Sequence, residues 1–151
     1  EHELSLLGEN MGRNNYGARL LAPTQRKGIR GGVMVDHHFE TEWVQYALSF
    51  ETIGDVDFTK GWIPNTPAFY EYEFEAHECE DTFLDCSTLG KGVAFINVFN
   101  LGRYWSVGPI QYLYIPGPLL KVGINKLVLF ETEGVVAERI ALKDHPVYVK
   151  G

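Results

Sequence analysis

From residue 90 to residue 130 the sequence runs GKGVAFINVFNLGRYWSVGPIQYLYIPGPLLKVGINKLVLF. It reads as strand, turn, strand, loop, strand, one short helical turn and a last strand. Val93, Phe95 and Asn97 alternate with Ala94, Ile96 and Val98, the period of two expected of a strand with two different faces. Asn100, Gly102, Gly108-Pro109 and Pro116-Gly117-Pro118 punctuate the rest of the stretch, because Gly and Pro supply or forbid the backbone angles that reverse a chain. Residues 125–130 then return as an apolar strand. Four strands in so short a span set the cadence of a β-sandwich. Nine Phe, eight Tyr and three Trp favour strands over helices, and sixteen Gly with seven Pro supply many turns. With 151 residues the chain is long enough to bury one core without staples, and a single domain over 1–151 is expected.

The same residues carry a resemblance. The string G-K-G-x-x-F-I-N-x-x-N-L-G-R-Y-W-x-x-G-P, followed by L-Y-I-P-x-x-x-L-x-x-G-x-N, resembles the C-terminal signature of glycoside hydrolase family 35 β-galactosidases. Residues 9–17 (ENMGRNNYG) are similar to the motif that opens the same β-domain, and Gly61-Trp62 with Pro67-Ala68-Phe69-Tyr70 is similar to its GW…PAFY segment. The three blocks come in the family's order and spacing over nearly the whole chain. One departure stands out: the family has Asn-Gly in its turn, whereas Asn97 is followed by Val98. Valine disfavours positive φ, which leaves the turn type open.

Charge and pattern exclude several classes. Thirteen basic and twenty acidic residues give a net charge of −7, with no basic cluster of the kind nucleic acid or an anionic membrane demands. No apolar run is long enough for a transmembrane helix. The opening Glu1-His2-Glu3-Leu4 has neither the basic head nor the apolar body of a leader, and there is no start Met. A piece of something longer is therefore expected, whose localisation signal would lie elsewhere; the compartment is left open by this stretch, with the cytoplasm favoured. Cys79 and Cys86 are too few for a disulfide framework. Cys86 shares a strand face with Leu84 and reads as a small core residue, and a reduced pair is expected.

Taken in order, residues 4–7 read as a strand entering the ENMGRNNYG block, a structured turn built on Asn10, Gly12, Asn14, Asn15 and Gly17. Its two large side chains are Arg13, read as structural, and Tyr16, which either covers a core edge or stacks on a sugar. Residues 20–30 read as a loop, and 32–36 as a strand followed by His37 and His38. Adjacent histidines on a strand point to opposite faces, which argues against a shared metal site, and no metal or other cofactor is expected. Residues 43–48 read as a strand with Val44, Tyr46 and Leu48 on one face, and 49–60 as a polar loop. Trp62 either seals the end of a sandwich or offers a flat platform to a sugar. Residues 68–75 form the cleanest strand, with Tyr70, Tyr72 and Phe74 on a core face and Glu71, Glu73 and Glu75 on a solvent face. Residues 81–87 and the region of Ile140 and Leu142 supply further strands. Asn97, Asn100, Arg103, Tyr104 and Trp105 are equally the inventory of a sugar site and of a buried corner, and the corner is preferred.

No βα alternation, serine triad or phosphate-cradling loop occurs, so no catalytic residue is assigned. The resemblance implies that both catalytic glutamates lie on a (β/α)₈ barrel elsewhere in the polypeptide. It further implies that the parent hydrolyses terminal β-galactosides with retention, and that Tyr16 stands at the rim of the cleft. The expectation is thus an all-β jelly-roll β-sandwich, galactose-binding domain-like, that braces the barrel and is inert alone. Its partners are that barrel and a galactoside or oligosaccharide, not nucleic acid or membrane. The alternative is a freestanding carbohydrate-binding module that grips galactosides through Trp62 or Trp105.

Overall fold

The computed structural model describes residues 3–10, 12, 15–61 and 63–147. Strands β1 (Met34–Val35) and β2 (His38–Phe39) come first, followed by β3 (Ala68–Ala76), β4 (Thr82–Asp85), β5 (Lys91–Ile96) and β6 (Phe99–Trp105). The last three are β7 (Tyr112–Ile115), β8 (Gly123–Glu131) and β9 (Ala141–Lys143). The helical turn between β7 and β8, Gly117–Leu119, falls where the sequence places it. Where the sequence reads as one domain, the fold divides into two units, Glu1–Leu48 and Ser49–Gly151.

In the second unit the strands form two antiparallel sheets, one in the order β3-β8-β5-β6 and the other in the order β7-β4-β9. Ala94, Ile96, Tyr104, Leu127 and Leu129 of the first sheet pack in one core with Leu84, Leu113 and Ile115 of the second. Tyr70, Tyr72 and Phe74 line the same core from β3, while Glu71, Glu73 and Glu75 alternate with them and face outward, as expected. The architecture is the all-β sandwich anticipated from the sequence.

Residues 93–96 of β5 and 127–130 of β8 are continuously apolar because both faces of the strands are covered there. Val93, Phe95 and Val128 point away from the sandwich interior and pack under Phe50, Ile53, Val56 and Phe58. Residues 49–60 are therefore not simply the polar loop read from the sequence. Two short 3₁₀ turns over Phe50–Asp55 set Phe50 and Ile53 three residues apart on one side, which gives the loop an apolar underside. Phe50 meets Phe95 edge-on at 5.2 Å, and Phe69 stacks on Phe130 at 4.3 Å.

The β5–β6 connection resolves the turn that Val98 leaves open. Ile96 pairs with Phe99, so the loop is two residues long, and Asn97 and Val98 have φ of 46° and 67°. That is the type I′ geometry, whose twist matches the flanking strands and which requires positive φ at both central residues. Four hydrogen bonds keep Asn97 in place. Its backbone N–H donates to Lys126 O at 2.9 Å and its Oδ1 accepts from Lys126 N at 3.1 Å. Its Nδ2 donates to Leu119 O at 2.9 Å and to Asn125 Oδ1 at 2.8 Å.

The first unit departs from the strands expected of it. Its one ladder among the described residues is the β1–β2 hairpin, closed by a second type I′ turn at Asp36 and His37, with φ of 46° and 67°. The strand expected over 32–36 is shorter, and His37 sits in the turn rather than beside His38 on a strand. Residues 4–7 and 43–48 join no ladder, and no described residue of 3–48 is buried. A strand needs a partner for its N–H and C=O groups, and these segments have none here.

Candidate functional site

The three residues singled out for sugar contact have different fates. Tyr16 lies in the bend that closes the ENMGRNNYG block and is 92% exposed, with its ring free on the surface of the first unit. Of that block the described residues include a turn at Asn10, where Gly12 N donates to Asn10 Oδ1 at 3.2 Å, and Gly12 and Gly17 take φ of 77° and 120°; Asn14 lies outside the described residues. Trp105 ends β6 and is partly buried, with Lys91 Nζ 5.3 Å from the ring centroid. A cation over the ring competes for the face on which a sugar would stack. Trp62 and Arg13 lie outside the described residues. Tyr16 belongs to the first unit and Trp105 to the second.

The polar residues of the signature are spent inside the fold. Asn125 is fully buried and all four of its hydrogen-bonding positions are filled. Its Nδ2 donates to Lys121 O at 2.7 Å and to Gly123 O at 3.0 Å, and its Oδ1 accepts from Lys121 N at 3.0 Å and from Asn97 Nδ2 at 2.8 Å. Asn97 and Asn125 together pin the β5–β6 turn to the loop that leads into β8. Asn100 accepts from Gly102 N at 2.8 Å, beside the bulge where Ala94 pairs with Gly102 and Phe95 with Asn100. These amides build a corner of the fold.

A second buried constellation is one that sequence reasoning misses. Glu131 is fully buried at the end of β8, where it accepts from Gly90 N at 3.0 Å and Tyr104 Oη at 3.2 Å on one oxygen. The other oxygen accepts from Glu133 N at 2.8 Å and Lys91 N at 3.4 Å. Three backbone N–H groups and a phenol thus offset the desolvation of a carboxylate. Burial, and then the neighbouring Glu131 charge, push the Tyr104 phenol well above its ordinary range. The glycines of Gly90-Lys91-Gly92 make this packing possible. A Cβ on Gly92 would lie 1.9 Å from Phe130 O and 2.6 Å from Tyr104 Oη, and one on Gly90 would lie 2.9 Å from Glu131 Oε1. The signal available in the sequence is an acidic residue closing an apolar run, opposite a Gly-x-Gly.

Nothing in this arrangement resembles reaction machinery. Cys86 is buried, and burial followed by the charges of Asp85 and Glu131 raises its thiol to about 12, far from a thiolate nucleophile. Both cysteines are free thiols. Glu71 and Glu73 lie on the solvent face and share Lys126, at 3.3 and 3.5 Å. Asp81 accepts from Gly117 N at 2.8 Å and from Tyr114 Oη at 2.6 Å, and these bonds hold its carboxyl below the usual range. It stands on the rim of a shallow cleft of about 320 Å³ with Phe74, Leu120 and Leu142 among its lining residues. Among the described residues, no group of three or more His, Cys, Asp or Glu side chains could hold a metal ion, and no helix is long and apolar enough to cross a membrane.

The comparisons with known proteins agree with this division into two units. Residues 67–125 match the family described as "Beta-galactosidase, galactose-binding domain", and residues 1–49 match "Beta-galactosidase, first all-beta domain". The chain is 38% identical to Beta-galactosidase 1 of Dictyostelium discoideum over 142 residues, covering 85% of this chain and 20% of that protein. It is 38% identical to Beta-galactosidase 17 of Arabidopsis thaliana over 151 residues, covering 86% of this chain and 21% of that protein. It is also 39% identical over 136 residues to human Beta-galactosidase-1-like protein 2, covering 85% of this chain and 21% of that one. The chain therefore spans about a fifth of the length of these relatives. With its sandwich matching the galactose-binding domain and its first 49 residues matching the first all-β domain, the chain belongs to the β-galactosidase family as a domain fragment.

Proposed function

We propose that this chain is a non-catalytic part of a β-galactosidase, carried in one polypeptide with a catalytic (β/α)₈ barrel that it braces. The parent hydrolyses terminal β-galactosides with retention, and Tyr16 stands at the rim of its cleft. The observation that carries this reading is where the signature's polar groups go. Asn97 and Asn125 are bonded to each other and to the backbone of the fold, and the ring of Trp105 has Lys91 over it, so the signature acts as architecture. Tyr16, by contrast, keeps its ring exposed. An aromatic ring against the apolar face of a galactoside, with its hydroxyl in water, suits a cleft wall. The alternative, a freestanding module that grips galactosides by itself, would need Trp105 to shed Lys91 or Trp62 to supply the platform.

Calorimetric titration of the chain with galactose, lactose and a β-galactosyl oligosaccharide separates the two. The expected result is no heat at millimolar sugar and no turnover of a chromogenic β-galactoside. In the full-length parent, Tyr16→Ala is expected to raise KM about five-fold, corresponding to about 1 kcal/mol of lost stacking. Saturable binding by the chain that disappears in Trp62→Ala or Trp105→Ala would replace the scaffold with a true binding module. An unchanged KM in the Tyr16→Ala parent would remove Tyr16 from the cleft.

A further inference from the structure

We propose that residues 43–48 are a β-strand of the first all-β domain whose partner strands lie in the polypeptide outside these 151 residues. The sequence has a strand's pattern there, with Val44, Tyr46 and Leu48 at every second position. All three are exposed, at 71%, 82% and 58%. The segment forms no ladder or helix, and none of its residues takes a positive φ. Its entry is already fixed: Glu42 has φ of 61°, and the Trp43 indole donates to Glu40 O at 3.0 Å. A set turn thus delivers a row of large apolar side chains to water.

Such a row costs free energy unless something covers it, and an unpaired strand leaves a line of N–H and C=O groups that bind another strand readily. Among the described residues of 3–48 nothing covers it, since none is buried and the one ladder there pairs two residues with two. Yet residues 1–49 match an all-β domain, and the chain spans about a fifth of its relatives. The strands that complete such a domain belong to the same polypeptide, where covalent linkage gives them a high effective concentration. This inference rests on the longer-polypeptide part of the proposed function and on nothing said there about sugar.

Hydrogen exchange read by mass spectrometry, on the 151-residue chain and on the longer polypeptide that contains it, tests the assignment. In the 151-residue chain the amides of 43–48 are expected to exchange close to the unstructured rate, while those of Leu127 and Leu129 stay protected. In the longer polypeptide the protection of 43–48 is expected to rise at least about tenfold. Val44→Asp is expected to reduce that protection and to leave Leu127 and Leu129 unchanged in both proteins. Strong protection of 43–48 in the dilute 151-residue chain would overturn the proposal, as would no gain in the longer polypeptide. Protection that grows with chain concentration as the mass doubles would give the strand to a second copy and overturn it too. None of these readouts requires galactoside turnover, so an inactive parent still tests the strand.

Discussion

Val98 stores strain in a turn that holds its register regardless, and Val98→Gly is expected to release it. Its φ is 67°, where a β-branched side chain is disfavoured by about 2 kcal/mol, the upper end of the cost for an L-residue. Two terms oppose the gain. Glycine adds about 0.5–1 kcal/mol of chain entropy to the unfolded state. Little contact is lost, because Val98 is 73% exposed and its Cγ1 comes no nearer than 4.0 Å to where a Cβ on Gly54 would stand. The balance favours glycine by about 0.5–1 kcal/mol, or about 3–6 °C in Tm for a sandwich of this size. Thermal unfolding followed by near-ultraviolet circular dichroism measures it, with Val98→Ala as the control. Alanine loses the same contact but still resists positive φ, so Gly is expected to exceed Ala by about 1 kcal/mol. Equal melting of the two variants, or a lower Tm for Val98→Gly, would refute the strained type I′ turn.

The Gly90-Lys91-Gly92 packing predicts the opposite sign. Gly92→Ala is expected to cost about 3 kcal/mol or more, because the new methyl meets a backbone carbonyl that cannot move without breaking the β5–β8 ladder; a loss under about 1 kcal/mol in urea unfolding would show the strand can shift. Part of the alkaline pH dependence comes from Tyr104, whose folded pKa lies above its unfolded value of 10.0, alongside Tyr72, which burial pushes up to about 12. The Tyr104 contribution is complete below about pH 10 and is lost as pH rises further, since the unfolded chain ionises first. Stability is therefore expected to fall above pH 10, less steeply in Tyr104→Phe, and identical alkaline slopes in the two proteins would count against a neutral phenol held beside Glu131.

The part of the fold legible in the sequence is the part governed by short-range rules. The two faces of 68–75 arise from strict alternation of Tyr, Glu and Phe, and the strand-turn cadence after Gly90 arises from where Gly and Pro permit reversal. The apolar underside of 49–60 is illegible because Phe50, Ile53, Val56 and Phe58 are spread through polar residues and share a face only once 3₁₀ turns form. Glu131 looks locally like the start of a polar turn. Its burial becomes readable only when the distant Gly-x-Gly is set opposite it, because its N–H partners at residues 90 and 91 lie far back along the chain. Asn97 can be weighed as corner or sugar ligand but not decided, because its partners Leu119, Asn125 and Lys126 are far along the chain.

The two units also differ in what their stability can depend on. Residues 49–151 bury both faces of the central sheet strands and satisfy Asn125 and Glu131 internally, so their cooperative unfolding is set by contacts within the sandwich. No described residue of 3–48 is buried, and a segment without a core contributes little to a melting transition. A substitution such as Tyr16→Ala should then leave the melting of the 151-residue chain unchanged while altering the parent's KM. A role confined to structure would instead lower the melting temperature of the parent along with its altered KM, whereas a sugar contact would leave the parent's melting unchanged. The residue proposed for the cleft rim is thus one whose loss the sandwich would not register.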